Sequence, residues 1–169
     1  MSSKEGTYQS TDLKEKTCCF TGHRDLPQNQ ISEIRKRLHR LITELIENGI
    51  ERFLSGGCYG FDTEAALIVL DLKQKYPNIR FILVIPYKEQ AKNWNEQNKA
   101  VYEDIKNRCD ECVYTSENYR RGCMHIRNRY LVDNSKYCIC YLRKKKGGTA
   151  YTVKYATKFM LKIYNINNV

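Results

Sequence analysis

The stretch Ser55-Gly56-Gly57-Cys58-Tyr59-Gly60-Phe61-Asp62 carries the densest chemical signal in the chain. The apolar pair Phe53-Leu54 stops at Ser-Gly-Gly, Gly60 follows, and a helical pattern then begins. Strand, glycine turn and helix in that order strip side chains from the backbone where a helix starts. The N–H groups there are unpaired and carry partial positive charge. Such a turn suits a phosphate. The plainer reading is a turn whose glycines only supply positive φ, with Asp62 as N-cap of the next helix.

Two further loops carry glycine after an apolar run: Thr21-Gly22-His23-Arg24 and Gly147-Gly148-Thr149. Arg24 sits just past the first run. Arg127 and Asn128 fall one turn into a later helical pattern, and a guanidinium fork matches phosphate geometry. An internal salt bridge from Arg127 to Asp133 or Glu117 is the alternative. His23 and His125 have no serine or cysteine partner at a recognisable spacing, so structural roles are expected for both. Gly60 is followed by Phe61-Asp62 rather than Lys-Ser/Thr, so there is no Walker loop. There is also no G-x-G-x-x-G after a strand and no G-x-S-x-G elbow.

These loops need a scaffold, and the apolar periodicity supplies one. Thr17–Thr21, Ile50–Leu54, Arg80–Ile85, Glu111–Tyr114, Lys136–Leu142 and Lys162–Ile166 read as strands. Ile31, Ile34, Leu38, Leu41, Ile42, Leu45 and Ile46 recur at helical spacing after Pro27. Further helices are expected over 63–75, 96–108, 124–133 and 149–160. Alternating strands and helices predict one α/β domain with a mainly parallel sheet, helices on both faces and right-handed crossovers. Ligands of such sheets bind beyond the carboxyl ends of the strands, where all three glycine loops should meet.

A chain of 169 residues suits one domain with a full core. The polar segment 1–16 reads as a loose arm without a signal-peptide core, and 17–169 as the domain. No apolar run is long enough to span a membrane, so a cytoplasmic protein is expected. A net charge of +10 favours anionic partners. Its one dense run, Arg143-Lys144-Lys145-Lys146, is read as a solvated loop that helps capture them. Of eight cysteines, Cys18, Cys19, Cys138 and Cys140 lie in apolar runs and behave as small hydrophobes. Cys109-x-x-Cys112 with Cys123-x-His125 has zinc-ligand residue types. The spacing of the second half is unusual and Cys112 begins a strand, so no metal is expected, nor a resident cofactor.

Taken in order, four motifs resemble the SLOG superfamily, the Rossmann-like group uniting DprA/Smf DNA-processing proteins with LOG-type hydrolases. They are Thr21-Gly22-His23-Arg24; Leu54-Ser55-Gly56-Gly57 with Gly60-x-Asp62; Arg127-Asn128-x-x-Leu131-Val132-Asp133-x-Ser135; and Gly147-Gly148-Thr149 before Tyr155-Ala156. The chain is most similar to the small YpsA-like branch, which Trp94 and Tyr102 also fit. The resemblance spans about residues 17–166. It implies a nucleotide or nucleotide-derived ligand held at the glycine loops. Thr21, Gly22, His23, Arg24, Ser55, Gly56, Gly57, Gly60, Asp62, Arg127, Asn128, Gly147, Gly148 and Thr149 would be the site residues.

The chain departs from the LOG pattern Pro-Gly-Gly-x-Gly-Thr-x-x-Glu. Gly147-Gly148-Thr149 continues Ala150-Tyr151-Thr152-Val153, without the second glycine–threonine step or the glutamate. Asp62 and Glu64 are the remaining carboxylates near a phosphate turn. Three functions therefore stand: a nucleotide-binding sensor or processing module, an N-glycosidase or phosphoribohydrolase-like enzyme, and a DprA-like single-strand nucleic-acid binder. The first needs only the loops. The second needs a carboxylate beside the sugar. The third is allowed by the charge and by 13 tyrosines, several of which fall inside helices or strands. A homo-oligomer is compatible with all three.

Overall fold

The strands are short and apolar on both faces, which requires helices above and below the sheet. The computed structural model describes residues 11–167 and has that arrangement. Six parallel strands, β1 (Thr17–Gly22), β2 (Arg52–Ser55), β3 (Arg80–Ile85), β4 (Glu111–Tyr114), β5 (Tyr137–Tyr141) and β6 (Lys162–Asn165), lie in the order β4-β3-β2-β1-β5-β6. The helices are α1 (Ile31–Glu47), α2 (Phe61–Leu72), α3 (Glu96–Arg108), α4 (Cys123–Asp133) and α5 (Gly148–Lys158). This is a single Rossmann-like α/β domain.

Side-chain alternation divides the core. Cys18, Phe20, Phe53, Phe81, Leu83 and Ile139 project to one face, against Ile34, Leu38 and Ile42 of α1, Ala65 and Val69 of α2 and Tyr102 of α3. Cys19, Leu54, Ile82, Val84, Cys138 and Cys140 project to the other, against Leu131 and Val132 of α4 and Ala156 of α5. The buried face of α1 is the one its periodicity predicts. Burial pushes the Cys18 thiol well up and Cys140 up to about 12, while the hydrogen bond with Cys19, then burial, pushes the Cys138 thiol well up, as expected of thiols used as packing.

Residues 1–10 of the expected arm lie outside the described residues. Residues 11–15 form a helical turn against β1, where the Thr17 hydroxyl donates to the Leu13 carbonyl. Among the described residues no helix is long and apolar enough to cross a membrane. No three His, Cys, Asp or Glu side chains among them converge as a metal site. The Cys109 thiol instead donates to the Lys106 carbonyl, and Cys123 is buried in α4.

The strand order places the functional edge. From β1 the chain steps outward through β2, β3 and β4, then returns to lay β5 beside β1. Gly22 at the end of β1 pairs with Tyr141 at the end of β5. The loops leaving these two strands part to opposite faces, and a crevice opens between them.

Candidate functional site

A cleft of about 450 Å³ occupies that crevice. Thr21 to Asp25 form one wall, and Lys144, Lys146 and Gly147 to Thr149 the other. Gly56, Cys58, Asp62, Arg127 and Asn128 make the floor. Its volume falls within the roughly 300–1,000 Å³ of small-molecule sites. The three loops therefore meet, as their spacing predicts. Within the second loop only Gly56 and Asp62 of the expected residues reach the cleft. Ser55 is fully buried and its hydroxyl accepts from the Gly57 N–H at 3.3 Å. Gly57 faces Leu83, Gln90 and Tyr102, and Gly60 borders a separate groove beside Trp94.

The wall at residues 147–149 is an open helix start. Gly147, at φ +105, turns the chain into α5, and no side chain caps the N-terminus. The first N–H groups of α5 thus lack helical partners and sit at the cleft. A Cβ built on Gly148 would meet only Asn128 Nδ2, at 4.0 Å. Lys144 and Lys146 add charge to the same wall. The basic run was expected as a solvated loop, yet its start is tethered. His23 Nε2 accepts from the Arg143 N–H at 2.8 Å and the Lys144 N–H at 3.3 Å, while the ring meets Tyr141 edge-on. Burial, then the charges of Lys144 and Arg143, lower the His23 pKa and keep the acceptor neutral.

The floor has the opposite character. Asp62 lies in the first turn of α2, whose N-cap is Gly60, so it is not the cap. Its Oδ2 accepts from the Cys58 N–H at 3.3 Å, and its buried Oδ1 has no hydrogen-bond partner among the described residues. The side chain is 7% exposed. Burial pushes its pKa up to about 6, against the lowering influence of Arg127, the Cys58 N–H and Arg24. Glu64, the other candidate carboxylate, turns away into a bidentate pair with Arg35, at 2.6 and 3.0 Å.

Arg127 is 4% exposed and makes neither of the salt bridges the sequence suggests. Its guanidinium donates to the carbonyls of Gly56 (2.6 Å) and Val84 (3.4 Å), to Gln90 Oε1 (3.5 Å) and to Asn128 Oδ1 (2.9 Å). It therefore braces the glycine turn against β3 and α4 and presents little free donor surface. Arg24 is exposed, stacks 5.2 Å over the Tyr59 ring and approaches Cys58 Sγ at 3.8 Å. Sequence reasoning missed Phe20, Asp25, Cys58, Met124 and Leu131 as lining residues. Cys58, inside the glycine motif, and Leu131, inside the motif that begins at Arg127, carried a signal that could have found them.

Comparison with known proteins bears on the family and the fold. The model described as the YspA SLOG family matches residues 18–169. The chain belongs to the YpsA family of the SLOG superfamily. Among relatives of this family member, the uncharacterized SPbeta prophage-derived protein YoqJ of Bacillus subtilis is 31% identical, over 76% of this chain and 83% of its own. A UPF0398 protein of Halalkalibacterium halodurans is 33% identical, over 76% of this chain and 69% of its own. Among solved structures, DNA processing protein A from Helicobacter pylori, described for its single-stranded DNA binding mode, superposes with a TM-score of 0.64 at 20% identity. That match covers 92% of this YpsA-family chain and 66% of the other, and it establishes a shared fold.

Proposed function

We propose that the cleft binds a nucleotide or nucleotide-derived molecule, and that the protein acts as a sensor or processing module for it. One observation carries the reading: an orphaned, buried Asp62 Oδ1 shares a 450 Å³ cleft with the open N-terminus of α5. The helix start, with Lys144 and Lys146, attracts a phosphate. The carboxylate requires a donor such as a ribose hydroxyl or a base N–H. A nucleotide presents both, an anionic phosphate at one end and ribose and base donors at the other. Family membership and the shared fold of DNA processing protein A support the same ligand class. Native mass spectrometry of the purified protein tests it, since a retained nucleotide adds a discrete mass that denaturation releases.

A second reading is favoured by the same carboxyl. A group whose pKa is near 6 exchanges protons close to neutral pH. In cleavage of a base–ribose bond, the C1′–N bond breaks, water oxygen joins C1′, and the water proton passes through Asp62 to the departing base. Incubation with nucleoside monophosphates, followed by chromatography for free base, separates this from binding alone. Release of base by the native chain but not by Asp62→Asn supports catalysis.

A further inference from the structure

The helix that opens the cleft also carries a feature the cleft does not use. The buried side of α5 is Thr149, Thr152 and Ala156. On another side Tyr151, Tyr155 and Phe159 follow at four-residue spacing, half-buried at first, with Tyr155 partly packed on the core, and exposed at Phe159. They form a run of ring contacts with His125 of α4. Centroids are 4.1 Å apart for His125–Tyr151, 6.5 Å for Tyr151–Tyr155 with the planes 9° from parallel, and 4.6 Å for Tyr155–Phe159. His125 and Phe159 are exposed, and Tyr151 and Tyr155 half-buried. The stripe ends at Met160, 89% exposed.

Cations flank the rings. Arg129 donates to the Tyr151 hydroxyl at 3.1 Å, Lys158 lies 5.7 Å over the Phe159 ring, and Lys154 is exposed on the same helix. Arg120 and Arg121 are exposed in the loop before α4. Segments 117–133 and 148–158 contain only two acids, Glu117 and Asp133, and Asp133 is engaged by the Tyr155 hydroxyl at 2.8 Å.

We infer that this aromatic ladder, with its basic flanks, is a docking track for single-stranded nucleic acid. Stacked rings offer faces to successive bases, and flanking Lys and Arg neutralise the backbone without reading sequence. From Tyr151 to Phe159 the helix rises about 12 Å, the reach of some three to four nucleotides at stacked spacing. A duplex hides its base faces and gains nothing from the rings. A second copy of this chain would bring Arg129, Lys154 and Lys158 against their own like charges across a two-fold axis. The track lies outside the nucleotide cleft and does not depend on it.

Fluorescence anisotropy with a labelled twelve-residue oligo-dT and the full chain tests the proposal. The native chain should bind, with affinity falling steeply from 50 to 200 mM salt. Tyr151→Ala and Phe159→Ala should each weaken binding between about fivefold and a hundredfold. Tyr155→Phe, which keeps the ring and removes the bond to Asp133, should bind like the native chain, and Tyr155→Ala should not. Lys154→Gln with Lys158→Gln should flatten the salt slope. The inference is overturned if no oligonucleotide binds, if ladder variants with native melting curves bind normally, or if duplex competes as well as single strand. Displacement by saturating adenosine monophosphate would put the strand in the cleft and overturn it as well. So would sedimentation showing self-association that Phe159→Ser abolishes, with no oligonucleotide bound.

Discussion

The Arg127 guanidinium lies 2.6 Å from the Gly56 carbonyl oxygen and fills the space a side chain at position 56 would occupy. A Cβ there would fall 2.6 Å from Nη1 and 2.7 Å from the guanidinium carbon. The glycine and the arginine are thus one device. The backbone approaches closely so that a buried cation can hold the turn from behind.

Arg127→Ala should therefore destabilise the fold by about 2–4 kcal/mol, because it leaves the Gly56 carbonyl only its longer bond from Gln90 Nε2, at 3.2 Å, and opens a cavity. Gly56→Ala should also destabilise, by displacing the guanidinium. The double variant should lose less than the sum of the two, since both break one contact. Denaturant melts of the four proteins measure the coupling. Strict additivity would show that the two residues act separately.

Asp62 predicts a pH-dependent stability. Its folded pKa, about 6, is raised above the ordinary carboxylate value, so its contribution is fully present below that ordinary value and is lost as pH rises through 6. Asp62→Asn removes the buried charge. Without ligand, this variant should melt several degrees above the native chain at pH 8, by a smaller margin at pH 5, and close to it below about pH 4. A difference independent of pH, or one larger at pH 5, would contradict the assignment.

His23 has the opposite sign. Its lowered pKa means that the neutral, accepting imidazole is the form the fold favours, and its contribution is lost as pH falls below the ordinary histidine range. Amide hydrogen exchange, corrected for intrinsic rate, should show the Arg143 and Lys144 N–H groups losing protection as pH drops from 7.5 to 5. His23→Phe, which keeps a ring beside Tyr141, should remove that protection at every pH. Unaltered protection would break the link between His23 and the basic loop.

Much of the scaffold was legible in the sequence because its cause is local. The α1 face and the continuous apolar runs of β1, β3 and β5 follow from periodicity alone, and glycine at strand ends marks the loops that meet at the crevice. The roles of individual side chains were less legible, because their partners come from far along the chain. Arg127 reads as a phosphate ligand until Gly56, just past β2, and Val84, in β3, aim their carbonyls at it. Asp62 and Glu64 sit two residues apart on one helix, and helical rotation sends them to different sides. Glu64 meets Arg35, 29 residues earlier, while Asp62 enters the cleft. The basic run was expected as solvated charge, because only the pairing of β1 with β5 brings His23 beneath it.

The central claim is that the cleft between β1 and β5 holds a nucleotide with its phosphate at the start of α5. Gly148→Val tests it most directly. Position 148 does not need the left-handed conformation, and a Cβ there meets only Asn128 Nδ2, at 4.0 Å, so the fold should tolerate the branched side chain. Calorimetric titration with a panel of nucleoside mono- and diphosphates should show saturable binding to the native chain. Gly148→Val should show none, with its melting curve unchanged. Equal binding by the two proteins, or no binding of any nucleotide by the native chain, would contradict the account.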